Sequence, residues 1–555
     1  MNMPAVTADV ATMAQTSSAE LTGEPNTIGR VVSVSGGQVI CLLSAPEGPA
    51  SRETMGLQIG SLVRLRTSAS NAFGIVSGMT IPIPARDANS DEMKIVELEL
   101  VGEVPLRPDG KAGPFRRGIS ASPALDDAVL AATQEDLQTV YQRRSEHAVE
   151  IGRLHQNRAV PAYVVVDDLL GKHFSILGTT GSGKSCAVSL LLNAIVAKHA
   201  NAHIVLLDPH AEYANAFKGL AECIEPDDLR LPHWLFNFEE MVEIVFGAQG
   251  PHMMTETTIL RDMIQRCKVR FTGSSEESRA FTVDTPTPYK FGDLLHLLEQ
   301  TMGRLENRSD LTPYHRIKAR LLALQSDRRY TFLFPSGVVV RDNLTAILAR
   351  IFRVPVAGKP ISIVNLSGVP SEVLNVVVSV LCRMTFDFAL WSDQRVPLLL
   401  VCEEAHRYAP ARDIDGFEPT KRALARIAKE GRKYGISLGI VSQRPSEIAA
   451  NVLSQCNTLF AMRMTSEKDQ DCLRAAMSEA TGGLIDSLPS LGNGEAVAVG
   501  EGVAVPMRLV FNQLEEGKMP HSGTAKFSAA WRDGDGTEES LKEVVARWRQ
   551  SAASA

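Results

Sequence analysis

Gly178-Thr179-Thr180-Gly181-Ser182-Gly183-Lys184-Ser185 is the stretch on which the reading of this chain turns. It fits G-x-x-x-x-G-K-S/T at every fixed position. Its flanks fit too: His173-Phe174-Ser175-Ile176-Leu177 reads as a short apolar strand, and Ala187 to Val196 as a buried helix. Strand, glycine-rich turn and helix together make a cradle for phosphates. The glycines let backbone N–H groups turn inward, and the helix N-terminus adds partial positive charge. Lys184 is placed to reach the β- and γ-phosphates, and Ser185 to offer its hydroxyl to Mg²⁺. The candidate nucleotide-binding set is Gly178, Thr179, Thr180, Gly181, Ser182, Gly183, Lys184, Ser185 and the adjoining Cys186.

Composition bounds what surrounds this loop. The chain has 555 residues, 44% hydrophobic and 22% charged, as in ordinary globular proteins of more than one domain. The formal net charge is −7, so any nucleic acid must be held by local basic patches rather than by a global field. Even the most apolar helix candidate, Val373 to Trp391, carries Arg383 and Asp387, and no membrane span is expected. The eight cysteines are scattered without a C-x-x-C pair, and the first basic residue is Arg30. Reduced core thiols and a cytoplasmic location are the expectation.

Outward from the loop, the chain divides into unlike textures. Residues 1–26 read as a flexible tail. Residues 27–115 hold five or so short strands: 28–35 and 38–43 around Gly36-Gly37, then 62–66, 72–78 and 94–101. That pattern suits a small β-barrel, with an open packing sheet as the competitor. Residues 116–160 read as a linker containing Pro123, with a helix near Ala131 to Tyr141. Residues 161–222 and 359–515 alternate apolar strands with helices, the signature of a parallel α/β sheet. Between them, 223–358 has helical spacing around a polar loop from Gly273 to Tyr289, and reads as a mostly helical insertion. In the extension 516–555, Leu541, Val544, Val545 and Trp548 form one stripe on a helix from Glu538 to Gln550.

Hydrolysis needs a metal holder and a group that aligns water. Glu403 and Glu404 stand at the tip of the apolar run Leu398 to Cys402. In the common pattern an Asp holds Mg²⁺ and the following Glu polarises the attacking water. Here Glu403 stands where Asp is expected, so Glu403 is the metal candidate and Glu404 the catalytic base. Which of the two touches the metal directly stays open. Gln443 ends the strand 436–442 and can sense the γ-phosphate or cap a turn. Asp208 and Glu212 either serve near metal and water or cap the following helix. Residues 421–435 read as a helix with Arg422, Arg426, Lys429 and Lys433 on one face and Arg432 to the side. That is a solvated face or the source of an arginine supplied to a neighbouring subunit, and residue pattern favours the first.

An ordered set of further motifs resembles one family. It comprises Ile28-Gly29-Arg30-Val31-Val32, His173 to Ser185, Asp208-Pro209-His210-Ala211-Glu212-Tyr213 and Leu366-Ser367-Gly368-Val369-Pro370-Ser371. It continues with Glu403-Glu404-Ala405-His406-Arg407-Tyr408, Glu430-Gly431-Arg432-Lys433-Tyr434-Gly435 and Ser442-Gln443-Arg444-Pro445. Over roughly residues 27 to 530 the chain resembles the HerA family of hexameric DNA translocases, within the HerA–FtsK group of P-loop motors. The resemblance implies an α/β fold with a RecA-like P-loop NTPase core, binding ATP with Mg²⁺ between subunits of a homohexamer. It implies duplex DNA in a central pore, and a nuclease or other effector docked on the barrel face, in repair or anti-phage defence. It assigns the trans-acting arginine to Arg432, with Arg426 second. Glu403 departs from the family's commoner Asp. Arg407, Arg412, Lys421 and Arg422 are weak DNA-contact candidates that no motif carries. Two alternatives stand beside this reading. One is a ring that ATP stabilises and that scaffolds a partner enzyme. The other is a nucleotide kinase or GTP switch, disfavoured because no N-K-x-D motif occurs.

Overall fold

The architecture comes from a computed structural model. It describes residues 26–43, 56–67, 69–82, 93–106, 112–229, 231–247, 253–273, 280–304, 310–330, 333–334, 340–369, 371–412, 417–477, 482–521, 527–533 and 537–554. The expected tail and part of the loop from Gly273 to Tyr289 lie outside these residues. The chain forms two compact units, Met1–Thr139 and Val140–Ala555.

The first unit is a closed barrel. Its strands are β1 Thr27–Ser35, β2 Gln38–Leu43, β3 Leu62–Arg66, β4 Ser70–Thr80, β5 Lys94–Pro105, β6 Arg116–Arg117 and β7 Ala128–Ala131. The order β2-β1-β7-β3-β4-β5 closes through a β2–β5 pairing, and the two-residue β6 lies on β5. Alternating residues point inward, so Val31, Val39, Cys41, Val63, Leu65, Val76, Val96, Leu98 and Val129 build one apolar core. The expectation of a barrel holds, but its boundary at 115 does not. Residues 116–160, expected as a linker, supply β7, which pairs with both β1 and β3 and completes the barrel. Four residues are too few to show a strand pattern, and both partners of β7 are distant in sequence.

The second unit is built on an eleven-stranded sheet. After β8 Ala148–Leu154 and β9 Pro161–Val165 come β10 Phe174–Leu177, β11 Ile204–Asp208, β12 Ala221–Ile224, β13 Ile361–Asn365 and β14 Leu398–Cys402. Then follow β15 Ile436–Ser442, β16 Thr458–Met462, β17 Glu495–Gly500 and β18 Met507–Phe511. The order is β12-β13-β11-β14-β15-β10-β16-β17-β18-β8-β9, parallel from β12 to β16 and antiparallel beyond. The continuous burial of β10, β11, β14, β15 and β16 explains their unbroken apolar runs. β8 also falls in the segment expected as linker. The fold is a RecA-like P-loop core, as the resemblance implies.

The insertion is helical as expected: Phe238–Phe246, Met254–Thr272, Phe291–Arg304, Thr312–Ser326 and Leu344–Phe352. Its first helix begins with a capping box, in which Asn237 accepts from the Glu240 N–H and the Glu240 carboxylate accepts from that of Asn237. The same Glu240 carboxylate also accepts from Ser379 and Arg383 of the helix Ser371–Ser392, tying insertion to core. Within that helix, Val373–Ser392 is long and apolar enough to cross a membrane by length and composition alone. In this fold it is mostly buried against protein, and Arg383 is satisfied by Glu240 and Asp387. At the end of the chain, the helix Glu538–Ser554 leaves Leu541, Val544 and Trp548 of its expected stripe exposed.

Candidate active site

The parallel strands all point their C-terminal ends to one edge of the sheet, and the phosphate loop leaves β10 there. The loop hangs from the strands on either side. The N–H of Gly178 donates to Ser442 O at 3.3 Å, and the N–H of Thr179 donates to Arg463 O at 2.9 Å. On its far side the N–H of Gly494 donates to Ser182 O at 2.9 Å. Gly181 and Gly183 have φ of 77° and 104°, a region that side chains resist, which is why glycine recurs here. The helix Lys184–Lys198 starts at the lysine itself and aims its N-terminus at the loop. Lys184 curls back, its Nζ donating to Gly178 O at 2.9 Å and Thr179 O at 3.2 Å. Ser185 Oγ donates to Glu212 Oε2 at 2.7 Å, while Cys186 is exposed.

Glu403 and Glu404 follow β14, but the strand carrying them is not beside β10. β15 runs between the two. Glu403 is buried, and its Oε2 has no hydrogen-bond partner. Burial, and then the charge of Glu404, push its pKa up, against the opposing charge of Lys184. Burial in turn lowers the pKa of Lys184, while Glu403, Glu404 and Glu212 oppose that shift. Glu404 has φ of 52°, a left-handed conformation rare for a residue with a side chain. Its Oε2 makes no hydrogen bond, although it lies 3.2 Å from His406 Nδ1. Gln443 Oε1 accepts the hydroxyl of Thr180, so the residue just after β15 rests on the loop. Lys184, Ser185, Glu403, Glu404 and Gln443 therefore gather at one edge.

The ambiguous pair separates. Asp208 accepts from the N–H groups of His210, Glu212 and Tyr213 at 3.1–3.2 Å and caps the turn after β11. Glu212, by contrast, stands in the site on Ser185. Pattern reading missed this pairing, and missed His406, because both depend on chain crossings 27 and 36 residues long.

The basic stretch 421–435 is not one helix. The helix Glu418–Glu430 ends, and Gly431–Tyr434 forms a tight 3₁₀ turn that carries Arg432. Arg432 is exposed at the opposite edge of the sheet, where β11, β14 and β15 begin, at a cavity of about 760 Å³ that His199, His203 and Ser437 also line. It takes no part in its own chain's site. Arg426 lies over the Phe386 ring at 3.9 Å. Arg422 pairs with Glu239 and Glu418, Lys421 donates to Arg412 O at 2.8 Å, and Arg407 is exposed.

The residues fit a nucleoside triphosphate with its metal. Two buried polar atoms at the loop, Ser182 Oγ and Glu403 Oε2, have no hydrogen-bond partner. The Lys184 amine holds only loop carbonyls, which phosphate oxygens can replace.

The chain is similar to several known proteins. Residues 149–385 match the family model described as the central domain of helicase HerA. The DNA double-strand break repair helicase HerA of Pyrococcus furiosus is 28% identical over 431 residues, 68% of this chain and 71% of that protein. The protein of the same name from Sulfolobus acidocaldarius is 26% identical over 514 residues, 89% of this chain and 95% of that one. Among solved structures, VirB4 of Thermoanaerobacter pseudethanolicus aligns with a TM-score of 0.48 at 16% identity, over 67% of this chain and 98% of that one.

Proposed function

We propose that this chain is a HerA-family P-loop ATPase, a motor that hydrolyses ATP to move duplex DNA through a ring of six copies. One observation carries this reading. Lys184, Ser185, Glu403, Glu404 and Gln443 converge at one edge of the sheet, while Arg432 lies at the other. A site with its phosphate holders on one edge and its arginine on the opposite edge is completed by a second subunit.

In this proposal Lys184 exchanges its two carbonyl partners for β- and γ-phosphate oxygens, and Ser182 Oγ and the loop N–H groups gain acceptors. Ser185 and Glu403 would hold Mg²⁺, with Glu212 behind Ser185, and the metal would supply charge neutralisation. Glu404 orients the attacking water and takes its proton, Gln443 reads the terminal phosphate, and Arg432 of a neighbouring subunit offsets the charge that develops. The relatives are named DNA double-strand break repair helicases, which supports a role in DNA end processing. A nuclease or other effector docked on the barrel fits the same role.

The test is ATP turnover with and without duplex DNA, together with native mass measurement. Duplex-stimulated turnover that collapses in Lys184→Ala and Glu404→Gln, in a particle of six chains, supports the proposal. Turnover indifferent to DNA in any form sinks the translocase reading, and a monomeric active species sinks the shared site.

A further inference from the structure

His406 lies between the two strand ends that carry Glu404 and Gln443, and the phosphate chemistry gives it no task. Its Nδ1 is 3.0 Å from Ser442 Oγ and 3.2 Å from Glu404 Oε2. Ser442 is the last residue of β15, and its Oγ also accepts from the Arg444 N–H at 3.1 Å. The following residue, Gln443, takes the hydroxyl of Thr180 in the phosphate loop. A path of contacts therefore runs from the loop through Thr180, Gln443, Ser442 and His406, and ends in the 3.2 Å approach of His406 to Glu404.

Glu404 depends on such a path. It sits on a left-handed residue, and its Oε2 is buried without a hydrogen bond. Among the described residues no hydrogen bond fixes that oxygen, and its aim matters: a displacement of about 1 Å at a reacting group costs about 10²-fold in rate. One ring nitrogen serves two neighbours, and it cannot bond both fully at once. Any shift of Ser442 changes how firmly His406 holds Glu404.

We propose that His406 is a positioning residue that keeps the Glu404 carboxylate in register with the end of β15 through the close approach of its Nδ1. The inference rests on the reading of Glu404 as the base that prepares water. The chemistry requires a ring nitrogen, or its amide equivalent, at one point between a carboxylate and a serine hydroxyl. It does not require bulk or charge.

The experiment compares steady-state ATP turnover and binding of a fluorescent ATP analogue in full-length His406→Ala, His406→Asn, Ser442→Ala, the His406→Ala/Ser442→Ala pair, and Glu404→Gln. His406→Ala is expected to lower kcat about 10²-fold while KM and analogue binding stay within about twofold. His406→Asn, whose amide nitrogen falls near the place of Nδ1, recovers turnover to within about threefold of wild type. Ser442→Ala lowers kcat alone but adds less than about twofold to His406→Ala, because both act through one contact. If His406→Ala does not fold, Ser442→Ala and His406→Asn still decide the matter through the same split between kcat and KM. Full kcat in His406→Ala, or losses that multiply in the pair, overturns the proposal while leaving the base assignment intact if Glu404→Gln is inactive. Full turnover in Glu404→Gln removes both.

Discussion

Arg432→Ala gives the sharpest test of a shared site. The seven residues of β15 separate the turn holding Arg432 from Gln443. At roughly 3.3 Å per residue that strand alone spans ~20 Å, farther than an arginine side chain reaches. Arg432 therefore cannot serve the phosphate loop of its own chain. If it serves a neighbour's, Arg432→Ala should lower turnover ~10³-fold or more while leaving nucleotide binding intact, because an arginine supplied in trans is worth that much in other P-loop enzymes. The decisive assay mixes Arg432→Ala with Glu404→Gln chains and allows subunits to exchange. Each parent lacks one half of every site. In an equimolar random ring, about one quarter of interfaces pair an intact loop and base with an intact arginine. Turnover should rise above both parents and peak near equal proportions. A parallel mixture of wild type with Glu404→Gln shows whether a ring tolerates silent interfaces. If that control keeps activity while the two mutants never exceed the sum of their parents, the placement of Arg432 in trans is refuted.

Two further outcomes follow from the packing. A Cβ added at Gly439 would meet the buried Phe174 ring at 2.7 Å, so Gly439→Ala should destabilise by about 1–3 kcal/mol. It would appear as a lower melting temperature of the second unit, and an unchanged value would show that the ring yields without cost. His233, with Nε2–H donating to Tyr289 O at 3.0 Å among Phe291 and Phe334, is held by burial at a pKa of about 4. The unfolded chain, with its histidine near 6.5, takes up the proton first, so this contribution is complete above pH 6.5 and is lost as pH falls from 6.5 to 4, by roughly 3 kcal/mol. Hydrogen-exchange protection of the helix Phe291–Arg304, followed across that window, should fall in wild type. In His233→Phe the same window should be flat, even if overall protection is lower. A fall of equal size in both chains would assign the acid sensitivity elsewhere.

Features carried by consecutive residues were legible from sequence. The loop 178–185, the paired glutamates at a strand tip and Gln443 after β15 are each a local pattern, and each sits where that pattern places it. Sheet order is not local, and the intrusion of β15 between β10 and β14 could not be read. It is this intrusion that lets Ser442 touch both the phosphate loop's backbone and His406. The partnership of Ser185 with Glu212 was hidden for the same reason. The stretch 421–435 misled because Gly431 stops a helix whose polar face continues in composition but not in geometry. Charged residues in the helix Ser371–Ser392 argued against a membrane span by composition. The structure gives a different reason for their presence, since Glu240 of the insertion requires Arg383.

The closure of the barrel by β7 sets where this chain can be cut. A truncation placed at residue 115 by sequence texture would leave β1 and β3 with bare edges, and would leave β7 as an orphan strand on whatever followed. Exposed edges of that kind invite pairing between molecules. The exchangeable piece, whether for an engineer grafting a different barrel or for recombination shuffling one between related chains, runs through Ala131 and up to the unit boundary after Thr139. The last strand of the barrel is thus encoded beside the start of the second unit, and a crossover that honours the fold must carry both ends of the barrel together.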